Sequence, residues 1–324
     1  MGEYPLTVLV CPDADGPTGL HDTLLSLAAQ ITQNFGFALL APAGSDGIVR
    51  QLQAMITGFE RSFSRRARVV AGWSGPLTSA VLSLGSEQQL IGPRTTGQYV
   101  AIMTAADLAF AHWTSSIMDA AATRPGCVVH CAVAEQPCEV ARTDKYPVYT
   151  SVGRPKVPWG TQFDLVDFVA NGPRCEPCSA FAMPVHAISS LPERVEGPSS
   201  LSDEERLWRI VSTVALLGEV VDVDEVLQLR RHETRGSDCD GPNAPSSISG
   251  AAAVDGYLRV LDGLGLLEQG SALHALLAEA GQGNEDERAG AVSGSTPAPR
   301  ASTRRRGGRS LRDIKAFAKR SLRR

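Results

Sequence analysis

Short apolar runs alternate with amphipathic stretches along the first 170 residues. Leu6–Cys11 and Phe37–Ala41 are continuous apolar runs, as in strands buried on both faces, and Arg68–Gly72 is a weaker one. Between them, Leu20–Asn34 carries its apolar side chains on one helical face, and Ile48–Ile56 is also helical. Strands that alternate with helices predict an α/β fold with a Rossmann-like parallel sheet covered on both faces.

The next part of the chain continues this alternation. Its predicted elements are a weak strand at Gln89–Ile91, a helix at Gln98–Ala106, a strand at Leu108–His112, a helix at Ser115–Thr123 and a strand at Cys127–Cys131. In a parallel sheet, ligands bind at the carboxyl ends of the strands, where the loops lead into helices. The loops to consider as ligand sites therefore follow Cys11, Ala41, Gly72, Ile91 and His112.

The alternation ends near Gly172, and helical signals resume at Ser202. Ser202–Glu205 is a capping box that precedes one apolar helical face, and Asp222–Glu225 is a second capping signal. Gly281–Thr303 is polar and rich in Gly, Ser and Pro, which is typical of a disordered linker. The predicted organisation is a Rossmann-like domain at 1–172, an irregular linker at 173–200, a small helical region at 201–281, a disordered linker at 282–303 and a basic tail at 304–324.

Charge is distributed unevenly along the chain. Residues 300–324 hold eleven Lys or Arg and one acidic residue, a balance of +10, whereas the remainder carries −14. In Ser310–Arg324 the apolar residues form one broad helical face flanked by basic ones, the pattern of a helix that lies on an anionic membrane surface. RNA, DNA or an acidic protein could use the same charges, and terminal charge runs are often only solvated.

The chain carries no pattern of a secretory signal, and no apolar run reaches the roughly 18 residues that span a bilayer. We therefore expect a cytoplasmic protein, peripheral at the inner face of the membrane. Seven cysteines without a secretion signal argue against a disulfide framework. Cys175 and Cys178 have the spacing of half a zinc site, but zinc needs four ligands. We expect reduced, partly buried thiols and no metal.

The segment Leu90–His130 carries a resemblance to a known group of enzymes. It contains, in order, the apolar pair Leu90–Ile91, the loop Gly92–Gly97, the stretch Tyr99–Ala106 with an Ala106-Asp107 pair, the run Leu108–His112, the turn Thr114-Ser115-Ser116, then Asp119 and Pro125. This order resembles the donor-binding, C-terminal half of GT-B glycosyltransferases and of glycerophosphotransferase-like proteins. The resemblance extends over residues 5–172 and implies half of a GT-B fold.

The resemblance also implies a ligand, a nucleotide-activated sugar that binds as substrate without a metal or other cofactor. Ser115, Ser116 and Asp119 would bind its diphosphate and ribose, since a helix start offers amide donors and favours negative charge. The other candidates at the diphosphate are His112, Arg94 and Thr114. Taken singly, these residues also have structural interpretations, such as a helix N-cap or a solvated side chain.

The function that follows from the resemblance is a metal-independent sugar transfer for envelope polysaccharide or glycolipid synthesis. A complete GT-B enzyme has an acceptor-binding domain, which a second subunit would supply here, and the catalytic residues are not assigned. The alternative is a non-catalytic Rossmann-fold scaffold that pairs with such an enzyme.

Two further classes of protein are weaker alternatives. Asp13 and Asp15 follow an apolar strand and resemble the aspartate signature of haloacid-dehalogenase-like phosphatases, but Pro17 interrupts the motif and an Asp- and Gly-rich turn explains it. Leu258–Leu267 resembles the end of a winged-helix recognition helix. Its single Arg259 lies between acidic residues, so we do not expect it to bind nucleic acid.

Overall fold

The computed structural model describes residues 4–11, 19–42, 45–73, 77–83, 98–105, 107–142, 147–152, 154–156, 163, 168, 177–191, 195 and 201–233. The described strands are β1 (Leu6–Cys11), β2 (Phe35–Pro42), β3 (Ala67–Trp73), β4 (Tyr99–Thr104), β5 (Asp107–Ala109), β6 (Val128–Arg142), β7 (Pro147–Ser151), β8 (Phe181–Pro184) and β9 (Val220–Glu233). The described helices are α1 (Leu20–Ala28), α2 (Asp46–Thr57), α3 (Arg61–Ser64), α4 (Leu77–Ser83), α5 (Trp113–Thr123), α6 (Val185–Ser189) and α7 (Asp203–Leu217). Among these helices, none is long and apolar enough to cross a membrane.

Contacts divide the chain into two compact units. One comprises Met1–Phe163 and Glu176–Ser247, and the other comprises Asp164–Cys175 and Ile248–Arg324. All the strands and helices named above lie in the first unit. The predicted domain boundaries stay a prediction, and the linker at 282–303 and the tail at 304–324 lie outside the described residues.

The first half of the sheet is parallel and has the strand order β3-β2-β1-β4. Helices connect these strands, with α1 between β1 and β2 and α2 between β2 and β3. Leu6, Val8 and Val10 of β1 are fully buried, and so is Thr7 between them. A strand covered on both faces needs apolar residues at nearly every position, which explains the continuous apolar run. The predicted α/β class with a Rossmann-like parallel sheet is therefore confirmed.

The second half of the sheet is mixed, which the sequence pattern did not predict. The order continues from β4 through β8, β6 and β9 to β5, and β7 also pairs with β6. Strand β8 is antiparallel to both β4 and β6, strands β6 and β9 are parallel, and β5 is antiparallel to β9. The last strand, β5, also packs against α1, so the sheet curls back on itself.

The helix predicted at Gln98–Ala106 is wrong, because Tyr99–Thr104 forms strand β4 between β1 and β8. Its residues from Tyr99 to Met103 are buried. An apolar run of this kind cannot be distinguished by periodicity from a buried helix. The order of elements on which the resemblance depends thus has a strand where those enzymes have a helix.

Two other predicted elements are of the correct type but are shorter in the structure than predicted. The helix predicted at Leu20–Asn34 ends at Ala28, and the strand predicted at Leu108–His112 is the shorter β5, Asp107–Ala109. The strand candidate Gln89–Ile91 lies outside the described residues.

The two predicted capping signals have different outcomes. The capping box at Ser202 is confirmed: the Ser202 hydroxyl accepts from the Glu205 amide, and the Glu205 carboxylate accepts from the Ser202 amide at 2.6 Å. The helix predicted from the signal at Asp222 is wrong, because Val220–Glu233 is strand β9. It pairs with β6 from Val128 to Cys138. Long-range strand pairing therefore overrides the local helix signal here.

Candidate functional site

Strands β1 and β4 end side by side at the carboxyl edge of the parallel sheet. The Ala105 amide, just beyond β4, donates to the Cys11 carbonyl at the end of β1, at 3.0 Å. Helix α1, the next described element after β1, begins beyond Gly19, which has a positive φ of 74°. Ligands of open α/β sheets bind at this edge, so it is where a site is built most readily.

A buried carboxyl group lies directly after β4. Asp107 is 1% exposed, and its Oδ2 accepts from the Thr104 amide at 2.7 Å and from the Thr104 hydroxyl at 3.0 Å. Burial raises the pKa of Asp107, and the hydrogen bonds from Thr104 and the charge of Arg230 oppose this shift only in part. Asp107 therefore holds a proton more readily than an ordinary aspartate.

Strand β9 brings two consecutive arginines to this edge, with their side chains on opposite faces of the strand. Arg230 lies opposite Asp107 in the β5–β9 pairing, and its guanidinium is 3.5 Å from a carboxylate oxygen of Glu204 at the start of α7. Arg231 is buried, and its Nη1 lies 2.6 Å from Oδ2 of Asp22 in the first turn of α1. The Arg231 charge is thus neutralised inside the fold, whereas Arg230 is one third exposed.

Helix α1 is attached to the end of β4 by one buried side chain. Thr23 is fully buried, and its hydroxyl lies 2.8 Å from the Asp107 carbonyl and 3.1 Å from the Ala105 carbonyl. The start of α1 is therefore held against β4 by Thr23 and against β9 by Arg231. Together these contacts define the edge site, which comprises Gly19, Asp22, Thr23, Thr104, Asp107, Arg230 and Arg231.

The residues predicted to bind the donor lie together at the start of α5. His112 is the N-cap residue, Ser115 and Ser116 are partly exposed, and Asp119 is exposed. Thr114 is buried, and its hydroxyl donates to the Thr32 carbonyl at 2.9 Å. Arg94 lies outside the described residues.

Most of the first amides of α5 already have acceptors within the fold. The Trp113 amide donates to the Phe110 carbonyl at 2.9 Å, and the Ser116 amide to the His112 carbonyl at 2.9 Å. The Thr114 amide donates to the Gln30 side chain at 3.0 Å. A helix start binds anions through amides without partners, and few of that kind are left here.

The start of α5 also lies away from the carboxyl edge. Strand β5 runs beside α1 in the same direction, so Asp107 is hydrogen-bonded to Thr23 near the start of α1, whereas Thr114 is bonded to Gln30 beyond its end. Thr23 and Gln30 are seven residues apart, which corresponds to roughly 10 Å along a helix axis. The loop after His112 therefore follows the end of β5, as predicted, but β5 is antiparallel to β9 and this loop lies away from the carboxyl edge of the parallel strands. Whether Ser115, Ser116 and Asp119 bind a ligand stays a prediction.

The described cysteines fit the prediction of buried thiols. Cys127, Cys131, Cys138 and Cys178 are buried, and burial raises the pKa of the Cys127 and Cys138 thiols, which makes them poorer nucleophiles. Within the described ranges, no three His, Cys, Asp or Glu side chains are grouped so as to hold a metal ion. Cys175, the partner of Cys178 in the sequence motif, lies outside those ranges.

The sequence pattern does not indicate the arginines of the edge site, and it marks Asp107 only as part of the Ala106-Asp107 pair. Asp107 directly follows the predicted helix Gln98–Ala106, and Arg230 and Arg231 fall in the predicted helical region at 201–281. Two signals favoured a strand in β9: the alternation of Val221 and Val223 with Asp222, and the β-branched composition around them. These signals would have placed the arginines on a sheet.

Comparisons with known proteins give matches in structure alone. No protein-family model matches the chain, and no curated protein does either. The crystal structure of S. aureus TarS 1–349 matches with 12% identity and a TM-score of 0.45, covering 69% of this chain and 60% of that one. Its complex with UDP-GlcNAc matches with 11% identity and a TM-score of 0.45, covering 80% and 72%. The complex with UDP matches with 10% identity and a TM-score of 0.41, covering 71% and 61%.

A longer S. aureus TarS structure matches with 12% identity, and this chain covers 36% of it. The chain thus spans 60% of TarS 1–349 and about a third of the longer protein. A similarity at this level assigns no residue of the edge site.

Proposed function

We propose that this chain is a glycosyltransferase-like protein that binds a nucleotide-activated sugar at the edge site. The observation that supports this most is the strand order β3-β2-β1-β4 with α1 starting at the joint carboxyl end of β1 and β4. Rossmann-like folds bind nucleotides at this position, since the loops there lead into helix starts. The proposal moves the donor from the start of α5 to the opposite end of α1.

Arg230 supplies the charge that a diphosphate requires. Its ion pair with Glu204 is 3.5 Å long, and the two side chains are 33% and 49% exposed. An ion pair of this kind contributes only about 0–1 kcal/mol, so a doubly charged diphosphate can replace the Glu204 carboxylate. Arg231 is already bonded to Asp22, and we assign it no direct contact with the donor.

Transfer would be to an envelope polysaccharide or glycolipid, with residues 304–324 on an anionic membrane surface and a second subunit as the source of the acceptor domain. The charge pattern of the tail supports the membrane part. Tyr99–Thr104 is a strand where the GT-B half has a helix. We therefore propose a glycosyltransferase-like Rossmann fold and not the GT-B half itself.

A thermal-shift screen against UDP, GDP, CDP and their sugar conjugates tests the proposal. UDP and UDP-GlcNAc are the first probes, since S. aureus TarS has been crystallised with both. A ligand at a hundred times its Kd stabilises the fold by about 2.7 kcal/mol, which is a measurable rise in Tm. Arg230→Gln should abolish the rise, and Arg124→Gln, which alters another exposed ion pair, should leave it unchanged.

Asp119→Ala separates the two positions for the donor. A rise in Tm that persists in Asp119→Ala and is lost in Arg230→Gln supports the edge site, and the reverse pattern supports the start of α5. If no nucleotide raises the Tm of the wild type, the proposed function is wrong.

The second candidate is a non-catalytic scaffold of the same fold. Arg231 forms an ion pair with Asp22, and the Thr114 and Ser116 amides donate hydrogen bonds within the fold. These contacts favour the scaffold, because groups bonded inside the fold are not available to a substrate. Saturable binding of UDP-GlcNAc without release of UDP in the presence of envelope acceptors would support the scaffold. Release of UDP would exclude it.

A further inference from the structure

We propose that Arg231 is a positioning residue of the edge site, which fixes the start of α1 against the end of β4 without touching the donor. This inference rests on the proposed function, since it concerns the geometry of the same nucleotide site. Arg231 acts through α1, so its role is distinct from that of Arg230, the preceding residue of the strand, whose side chain lies on the opposite face and contacts Glu204.

The contacts of Arg231 converge on the residue where the chain enters α1. Nη1 lies 2.6 Å from Oδ2 of Asp22, and Nη2 donates to the Gly19 carbonyl at 3.4 Å. That carbonyl also accepts from the Asp22 amide at 3.1 Å and from the Thr23 amide at 3.2 Å. One guanidinium thus binds both the backbone and a side chain of the first helical turn.

The backbone of Gly19 has a left-handed conformation, which contacts from other residues can stabilise. Gly19 has a φ of 74°, in the left-handed region that glycine adopts readily because it has no Cβ. Glycine is also the residue with the most conformational freedom to lose on folding. A buried side chain bonded to its carbonyl therefore restricts the residue that sets the direction of α1.

The opposite side of the same turn is held by Thr23, whose hydroxyl contacts the carbonyls of Ala105 and Asp107. The first turn of α1 is therefore fixed between β9 and the end of β4. Arg231 lies 209 residues from Asp22 in the chain, so this contact joins the last described strand of the sheet to the first described helix. A shift of α1 would change the distance between the helix start and Arg230, which binds the diphosphate in our proposal.

The planar guanidinium suits this task better than an ammonium group. Its N–H groups form a rigid fork that binds two acceptors at once, whereas the lysine ammonium is a point charge on a flexible chain. Arg231→Lys therefore keeps the charge near Asp22 and loses the fixed geometry. Arg231→Gln loses the charge as well.

The test combines two measurements on the full chain. The first is the Kd for UDP by calorimetry, and the second is hydrogen exchange of the amides of residues 20–24. We expect Arg231→Gln to weaken UDP binding by about tenfold or more and to speed exchange in this turn, because small displacements in a site have large effects. The Kd for UDP and the exchange rates of Arg231→Lys should lie between those of Arg231→Gln and the wild type. Arg124→Gln should match the wild type in both measurements.

The free energy of unfolding of each variant, measured in urea, separates positioning from general loss of structure. Faster exchange confined to residues 20–24 supports the proposal, and faster exchange throughout the sheet overturns it. Unchanged exchange in Arg231→Gln overturns it as well. If the wild type binds no nucleotide, the proposed function fails on that result alone, and exchange in the first turn of α1 still decides whether Arg231 fixes this helix.

Discussion

The ring nitrogen Nδ1 of His130 lies 2.8 Å from Oδ1 of Asp222, between residues that are directly paired in the parallel strands β6 and β9. His130 is 2% exposed, and the rings of Phe163 and Phe181 each lie 5.0 Å from its own. The Phe163 amide donates to the same oxygen of Asp222 at 3.1 Å. One carboxylate oxygen thus serves both the buried ring and the backbone beside it.

Asp222→Ala should therefore destabilise the protein. The substitution removes a carboxylate oxygen that accepts from a buried ring and from a backbone amide, and losing hydrogen bonds of this kind costs about 1–3 kcal/mol. The free energy of unfolding in urea measures the loss. Glu225→Ala, at an exposed position of the same strand, should change it by less than about 0.5 kcal/mol. Equal losses in the two variants would show that the His130–Asp222 contact is not the cause.

Asp107→Asn should make stability less dependent on pH. The pKa of Asp107 is raised in the folded state by burial, so the folded protein binds its proton more tightly than the unfolded chain does. The stabilising contribution is complete below the ordinary aspartate pKa of about 3.9 and is lost as pH rises to the folded pKa. The asparagine side chain does not ionise, so this contribution to the pH dependence disappears.

The measurement is the free energy of unfolding of wild type and Asp107→Asn between about pH 4 and pH 8. We expect the variant to gain stability relative to the wild type as pH rises. Asp119→Asn, which changes an exposed carboxyl group, is the control. Its free energy of unfolding should change with pH in the same way as that of the wild type. A variant that loses stability relative to the wild type towards pH 8 would contradict the raised pKa.

Thr23→Val should destabilise the attachment of α1 to β4. Valine has nearly the shape of threonine but lacks the hydroxyl that contacts the carbonyls of Ala105 and Asp107. We expect a loss of about 1–3 kcal/mol, because the hydroxyl is the donor to buried carbonyls. Thr57→Val removes an exposed hydroxyl that bonds within α2, at 2.8 Å from the Ala54 carbonyl, and is the matched control. Equal melting temperatures of the two variants would show that the Thr23 hydroxyl does not stabilise the attachment of α1.

Ser202→Ala should cost about 1 kcal/mol, since the serine hydroxyl caps α7. Its partner in the box is Glu205, whose carboxylate accepts from the Ser202 amide and hydroxyl. Because the two side chains act as one unit, the double variant with Glu205→Ala should lose less than the two single losses added together. Ser190→Ala, at an exposed serine, serves as the control. Strict additivity would mean that the box does not act as a unit.

Local signals were sufficient for the elements whose partners are close in the chain. Leu6–Cys11, Phe35–Pro42 and the helix between them form one βαβ unit, and the pattern of each agrees with its place in the fold. The cap at Ser202 was also predicted correctly, because a capping box is complete within four residues. In these cases the sequence pattern and the packing favour the same structure.

The wrong helices share a physical cause. Tyr99–Thr104 and Val220–Glu233 both lie between two other strands, and their identity depends on partners that are distant in the chain. The edge site was not predictable for the same reason. Arg231 meets Asp22 only because β9 pairs with β6, and that pairing joins residues 92 positions apart at His130 and Asp222.

The pairing of β6 with β9 also bears on the order in which the nascent chain can fold. β1 and β2 leave the ribosome within 42 residues and can pair at once, whereas β6 is made long before Val220–Glu233 appears. Contacts across such separations slow folding, and an exposed strand edge invites pairing with other chains in the meantime. A fragment that ends before Val220 keeps the β1–β4 half of the sheet but lacks the strand that pairs with β6 along eleven of its residues. The last described strand thus covers this edge of β6 only after it has been synthesised, and until then the edge is open to pairing with other chains.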